Sequence, residues 1–160
     1  MKVQSPMSKV QSPLIPLDAN IHPFLIAQEV RVMKIKKFED LESWKKGRQL
    51  TNAVYEATAT GSFARDFGLK DQIRRASISI LSNIAEGFER GGDREFLQFL
   101  AMAKGSCGEV RAQLYVAIDQ GYLSRPLFER LSNDAAEIGR LISGLMKYLS
   151  KSDLKGSKYR

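Results

Sequence analysis

The most regular pattern of apolar and polar positions in the chain lies between Gly68 and Arg90. Apolar residues recur there every three or four positions, as they do on one face of an α-helix. The residues on this face are Leu69, Ile73, Ala76, Ile80, Ile84 and Phe88. The pattern predicts a helix whose apolar face packs against other helices.

A second stripe of uncharged polar residues, Gln72, Ser79 and Asn83, runs beside the apolar face at the same helical spacing. Buried amides and hydroxyls require hydrogen-bond partners, and Ser106 and Glu109 are candidates on a later helix. We interpret the stripe as a seam that fixes how helices or subunits meet. The alternative is a half-exposed polar edge without such a role.

The other helices have clear boundaries in the sequence. A first helix is predicted over residues 40–58, with Asp40 as its N-terminal cap. Gly91-Gly92 ends the second helix, as expected for a left-handed residue after a helix C-terminus. A third helix is predicted over 93–120 with Asp93 as its cap. A fourth is predicted over 124–150, with a proline in its first turn.

Four helices of about 20 residues with short connections predict an all-α fold, an up-down-up-down four-helix bundle over residues 34–150. Residues 1–33 contain four of the five prolines and the sequence KVQSP twice, which predicts an irregular, extended or disordered N-terminal extension. Met33 is an alternative translation start. If residues 1–33 form an extended arm, the short apolar run Phe24–Ala27 is the part that would dock. Residues 151–160 are predicted to form a basic C-terminal tail.

Small residues recur on one side of the third predicted helix. Ala101, Gly105, Gly108 and Ala112 are spaced by four, three and four positions. Glycine within a helix costs up to about 1 kcal/mol relative to alanine, so two on one side indicate the close approach of another backbone. The partner is either the second helix of the same chain or a helix of another subunit. The alternative is glycine that the helix merely tolerates.

The formal net charge of +7 favours polyanionic partners such as RNA or DNA, although solubility alone also explains a basic chain. No aromatic residue is interleaved with the cations in a base-stacking pattern, so we expect contacts with the phosphate backbone and little sequence readout. The candidate nucleic-acid-binding residues are Lys45, Lys46, Arg48, Lys70, Arg74, Arg75, Arg90, Arg94, Lys104 and Arg111.

Signals for catalysis are weak. Cys107 is the single cysteine, and the predicted bundle contains no histidine to activate it. Glu86 and Glu89 form an acidic pair without a second carboxylate cluster to hold magnesium. No phosphate-cradling glycine motif and no Glu-x-x-His pair occurs. We therefore predict no catalytic residue, no metal site and no cofactor.

Cellular location is predicted from what the sequence lacks. No disulfide can form within a chain of one cysteine, no apolar run is long enough to span a membrane, and no secretory signal is evident. These features predict a cytoplasmic protein without a membrane partner.

Five segments that follow one another in the chain carry a resemblance to a known family. They are FEDLESWKKGRQL, VYEAT, FGLKDQIRRASISILSNIAEGFER, EFLQFLAMAKGSCGEV and QLYVAIDQGYL. Together they resemble the four-helix bundle proteins called 23S rRNA intervening-sequence proteins, over residues 36–148. The accessory protein of diversity-generating retroelements is similar as well.

The resemblance implies a four-helix bundle that assembles as a ring, typically a homopentamer, without an established enzymatic activity. It also implies, by analogy with the retroelement protein, a basic surface that binds nucleic acid. This sequence departs from the family pattern at Gly61-Ser62-Phe63, where relatives often have a Phe-Pro turn. It also has Arg111 where an acidic residue is common, which puts in doubt any partner contact that relied on the acid.

These observations lead to one prediction and two rivals. The prediction is a non-enzymatic oligomeric bundle that binds RNA or DNA through a basic surface. The first rival is a ring-forming scaffold that docks another protein and has no direct role in nucleic-acid binding. The second rival, a nuclease of unrecognised type, lacks the histidine and clustered carboxylates that such chemistry needs.

Overall fold

The computed structural model describes residues 35–151, and these form an all-α four-helix bundle without a strand. The helices are α1 (Glu42–Ala57), α2 (Phe67–Arg90), α3 (Asp93–Asp119) and α4 (Arg125–Lys151). Short 3-10 turns, Phe38–Asp40 and Phe63–Arg65, precede α1 and α2. Each helix packs against the next in sequence, and α1 also packs against α4.

The predicted fold class is therefore confirmed, while the alternating direction of the four helices stays a prediction. The predicted extension at residues 1–33, with residue 34, and residues 152–160 of the predicted tail lie outside the described part of the chain. Lys151, the first residue of that predicted tail, instead ends α4.

The apolar face predicted for α2 is the face that enters the core. Ile73, Ile80 and Ile84 are at most 1% exposed, whereas Leu69 and Phe88 at the two ends are partly buried. The other helices supply matching side chains that are also almost fully buried: Leu50 and Val54 from α1, Leu100, Val110 and Leu114 from α3, and Leu131, Ile138 and Ile142 from α4. Burial of each such side chain stabilises the fold by about 1.5–3 kcal/mol, so this layer of side chains holds the four helices together.

Asp40 and Asp93, which the sequence patterns predict as N-terminal caps, do not occupy the N-cap positions of their helices. Asp40 lies in the 3-10 turn, and buried Leu41 occupies the N-cap position of α1 without a side-chain cap bond. The turn before α3 is so short that extended Gly92 takes the cap position and Asp93 becomes the first helical residue. There its carboxylate still interacts favourably with the positive end of the helix dipole.

Asp66, which the sequence analysis did not single out, caps α2. Its side chain accepts a hydrogen bond of 3.0 Å from the Leu69 N–H and so fixes the start of α2. A second carboxylate oxygen accepts a 3.2 Å bond from the Tyr122 hydroxyl, which lies in the connection between α3 and α4. Asp66 thus joins the first turn of α2 to a distant loop.

The predicted glycine stop between α2 and α3 is confirmed. Gly91 has a φ of 75°, in the left-handed region, and its N–H donates to the Phe88 carbonyl at 3.2 Å. Only a residue without a Cβ adopts this conformation at little cost. The chain consequently turns within two residues and α3 begins at once.

Among the glycines of residues 35–151, Gly87 on α2 has the tightest surroundings. A Cβ built on Gly87 would lie 2.5 Å from the Phe99 Cβ and 3.0 Å from Phe96 Cδ2, both on α3. The approach expected at Gly105 and Gly108 is absent within residues 35–151, where a Cβ on either glycine meets nothing within 4 Å. Of the two partners left open for these glycines, α2 of the same chain is therefore excluded, because both glycines lie on the outward side of α3.

The different surroundings of Gly87 and Gly105 allow a test in which the same substitution is made at both positions. Gly87→Ala is expected to destabilise the bundle by about 1–3 kcal/mol, because the new methyl group overpacks a contact that Phe99 Cβ cannot leave without backbone movement. Gly105→Ala is expected to leave stability unchanged or raise it by up to about 1 kcal/mol through helix propensity. Urea unfolding followed by circular dichroism measures both. Equal effects of the two substitutions would contradict the assigned contact.

Candidate nucleic-acid interface and helix seam

The polar stripe predicted on α2 forms a hydrogen-bonded cluster with α3 over part of its length. Ser106 Oγ donates to Ser79 Oγ at 2.9 Å, and Asn83 Nδ2 donates to the same hydroxyl at 3.0 Å and to the Ser79 carbonyl at 2.9 Å. Ser106 is 5% exposed, so these bonds lie where water competes poorly. The structure brings Ser79, Asn83 and Ser106 together as the sequence analysis expected.

The rest of the predicted seam opens to solvent. Gln72 and Glu109 are exposed and line a recess of about 430 Å³ between α2 and α3, together with Asp71, Arg75 and Gln113. No direct bond joins Gln72 to Glu109 within the described residues. The Gln113 side-chain oxygen is buried there without a donor among residues 35–151. The seam is thus closed near the middle of α2 and open toward its start.

Four of the ten candidate cations are paired with carboxylates. Each pair joins an ammonium or guanidinium nitrogen to a carboxylate oxygen at 3.3 Å or less and is at least partly exposed: Lys45–Glu42, Lys46–Glu137, Arg75–Asp71 and Arg90–Glu86. Exposed pairs of this kind contribute at most about 1 kcal/mol. They lower the local positive potential without fixing the fold. Glu86 also raises the pKa of the Arg90 guanidinium, which therefore stays charged.

Two further candidates, Arg74 and Lys70, bind the protein itself. Arg74 Nε donates to Thr58 Oγ1 at 2.7 Å, and its guanidinium carbon lies 4.4 Å from the centre of the Tyr55 ring. Lys70 Nζ donates to the Ala64 carbonyl at 2.9 Å and lies 4.7 Å from the centre of the Phe67 ring. These cations connect α2 to the end of α1 and to the turn before α2.

Three of the candidate cations lie against aromatic rings, although the sequence shows no base-stacking pattern of interleaved aromatic and basic residues. Phe67 and Tyr55 lie against Lys70 and Arg74, and Phe99 lies 4.8 Å from the guanidinium carbon of Arg90. Phe67 and Lys70 are three residues apart on one helix, and this spacing predicts their contact from the sequence. The Tyr55–Arg74 contact joins two helices, so only packing reveals it.

The remaining four cations are exposed and have no carboxylate partner within the part of the chain that the structure describes. Arg48 is on α1, and Arg94, Lys104 and Arg111 are on α3. Helices α1 and α3 are not neighbours in the bundle. The structure therefore does not gather the ten candidates on one face, and three of the four unpaired candidates lie on α3.

Cys107 is placed as a core residue. Its side chain is 3% exposed, and burial raises the pKa of the thiol to about 12. A thiol with that pKa is protonated at neutral pH and is a poor nucleophile. Among residues 35–151 no group of three or more histidine, cysteine or acidic side chains is arranged to hold a metal ion.

The geometry defines an all-α bundle with a short, partly polar contact between α2 and α3 and unpaired cations on α3. A sequence profile described as "23S rRNA-intervening sequence protein" matches residues 39–144. The chain belongs to this family. A comparison with curated proteins found no match.

Among solved structures, the chain is similar to a protein of unknown function from the S23 ribosomal protein family of Bacteroides thetaiotaomicron VPI-5482. The two sequences are 24% identical and superpose with a TM-score of 0.60 over 66% of this chain and 98% of the other. This likeness supports the bundle fold. None of the helices within residues 35–151 is long and apolar enough to cross a membrane.

The buried thiol generates a prediction about pH. In the native protein Cys107 is expected to react with a thiol reagent at neutral pH far more slowly than in urea-unfolded protein, as absorbance of the released chromophore measures. As the pH rises from about 9 toward about 12, the unfolded thiol ionises while the folded thiol stays protonated, so this group lowers the free energy of unfolding.

The Cys107→Ala variant provides the control, because it lacks the titrating group. Its free energy of unfolding is expected to fall less steeply over that pH range than that of the unmodified protein. Rapid native labelling, or identical pH profiles of the two proteins, would contradict the burial of the thiol.

Proposed function

We propose that this protein is a non-enzymatic oligomeric bundle that binds RNA or DNA through its basic surface by contacts with the phosphate backbone. The observation that carries the proposal is a set of exposed cations on α3 that have no carboxylate partner among residues 35–151, namely Arg94, Lys104 and Arg111. Cations that form no ion pair within the protein are free to replace the counterions of a polyanion. The formal net charge of +7 supports the same partner class.

The absence of enzymatic activity is part of the proposal. The raised pKa of Cys107 argues against a thiol nucleophile, and residues 35–151 offer no metal-binding group of side chains. Sequence-independent phosphate binding needs neither. We propose a cytoplasmic location for such a protein, where nucleic acid is accessible.

Self-assembly is proposed through the outward side of α3. Ala101, Gly105, Gly108 and Ala112 are all exposed there, and Met102 and Val116 are 48% and 46% exposed. Exposed glycines within a helix allow a second backbone to approach closely, and exposed apolar side chains gain by being covered. A second copy of the chain supplies such a surface, and a ring of five copies is the assembly that the family resemblance implies.

The dependence of affinity on salt concentration distinguishes binding to phosphates from binding that does not rely on charge. Filter-binding titrations of structured RNA are expected to give an affinity that falls steeply as salt concentration rises. The double variant Lys104→Gln/Arg111→Gln is expected to bind several-fold more weakly at low salt, with a slope of log affinity against log salt that is reduced by up to about 2.

The control for this experiment is Lys147→Gln, which removes one exposed charge from α4. It is expected to change the affinity and the slope much less than the double variant. No binding of structured RNA at low salt, or binding that does not respond to salt, would refute the nucleic-acid function.

A ring-forming scaffold that docks another protein is the second candidate, and the exposed apolar residues of α3 favour it. Light scattering is expected to show an oligomer at micromolar concentration. Gly105→Leu is expected to lower its mass, because the larger side chain separates the two backbones. Ser82→Leu, on the exposed side of α2, is the control for an added leucine.

Circular dichroism verifies that both leucine variants remain folded. A monomeric unmodified protein, or an assembly that Gly105→Leu leaves unchanged, would count against self-assembly through α3. Capture of one stoichiometric protein that survives nuclease treatment would favour the scaffold over nucleic-acid binding.

A further inference from the structure

Two exposed aromatic rings meet two partly buried cations on one edge of the bundle, where the end of α1 lies beside the start of α2. We propose that this aromatic–cation surface, formed by Tyr55, Phe67, Lys70 and Arg74, binds unpaired nucleotides of single-stranded RNA or DNA by stacking. The proposal rests on the proposed nucleic-acid function and adds the class of strand that is bound. It involves different residues from the phosphate contacts on α3.

Phe67 is the most exposed large apolar residue within residues 35–151, at 72%. It is the first residue of α2 and contributes little to the core, so its ring is available to a partner. Lys70 Nζ lies 4.7 Å from the ring centre and covers one side. A base that stacks on the other side contacts an aromatic face, with the cation on the far side of the ring. Stacking of this kind does not depend on the identity of the base.

Tyr55 and Arg74 provide a second platform on the same edge. Tyr55 is 39% exposed, and the Arg74 guanidinium lies 4.4 Å from its ring centre. The bonds that Arg74 donates, 2.7 Å to Thr58 Oγ1 and 3.4 Å to the Tyr55 carbonyl, fix the guanidinium before a ligand arrives. Little side-chain freedom is therefore lost when a base stacks there.

The spacing of the two platforms suits a nucleic-acid strand. Phe67 and Arg74 are seven residues apart on α2, which is about 10.5 Å along the helix axis. That length corresponds to about three steps of a stacked strand at about 3.4 Å each. Two platforms at this distance hold the ends of a short run of unpaired bases.

The local charges are compatible with this partner. Arg65 is exposed just before α2. The nearby acids Asp66 and Asp71 are engaged within the protein, by the Leu69 N–H and by Arg75 respectively. Glu56 is exposed beside Tyr55 and disfavours phosphate there, so stacking is the expected contact at that ring. A duplex keeps its base faces covered and offers this surface much less.

Fluorescence anisotropy with two labelled probes tests the proposal. One probe is a short single-stranded RNA of mixed sequence without self-complementarity, and the other is the same strand annealed to its complement. Phe67→Leu retains an apolar side chain but removes the π-face. It is expected to bind the single strand about tenfold more weakly and the duplex as the unmodified protein does.

Two further variants make the result specific. Phe67→Trp retains a stacking face, so it is expected to restore single-strand binding, and the fluorescence of the added tryptophan is expected to be quenched by the bound base. Tyr148→Leu removes an aromatic ring from α4, away from this surface, and is expected to change neither affinity. Circular dichroism verifies that each variant is folded.

The outcomes separate this inference from the proposed function. Salt-dependent binding of both probes by the unmodified protein, with no loss in Phe67→Leu, overturns the stacking site and leaves phosphate binding in place. Binding of neither probe at low salt overturns both. Capture of a protein partner that Phe67→Leu abolishes, without any nucleic-acid binding, overturns the stacking site in favour of a protein-docking surface.

Discussion

The close approach of α2 and α3 at Gly87 is the contact on which the rest of the bundle depends. The absence of a side chain there lets Phe99 and Phe96 lie against the α2 backbone. Ser79 and Asn83 precede Gly87 by eight and four residues, so all three lie along one side of α2. The bond between the short hydroxyl side chains of Ser79 and Ser106 requires the same small separation. The polar seam and Gly87 therefore belong to the same contact between α2 and α3.

Sequence periodicity predicted the parts of this fold that depend on a repeated pattern. The apolar face of α2 and the four helices follow from the recurrence of buried side chains every three or four residues, which tertiary contacts reinforce. The caps at Asp40 and Asp93 were mispredicted because a cap depends on the path of the chain before the helix. At α1 the burial of Leu41 sets that path.

The candidate site was less predictable, because its properties arise between segments distant in sequence. A list of cations does not show that Arg74 contacts Thr58 and Tyr55, sixteen and nineteen residues earlier. Nor does it show that Lys46 pairs with Glu137 of α4. The glycine pattern on α3 indicated a close approach, but spacing alone does not tell an inward glycine from an outward one. Gly87, within the segment SNIAEG, gave no such repeat and was overlooked.

The contacts of Arg74 have a consequence for which sequences this position tolerates. Its guanidinium donates through Nε to Thr58 and lies over the Tyr55 ring at the same time. A lysine ammonium is a compact point charge and lacks the planar group that satisfies both contacts together. An exchange of arginine for lysine here would preserve the charge and still loosen the end of α1. The position is constrained by the shape of the cation more than by its charge.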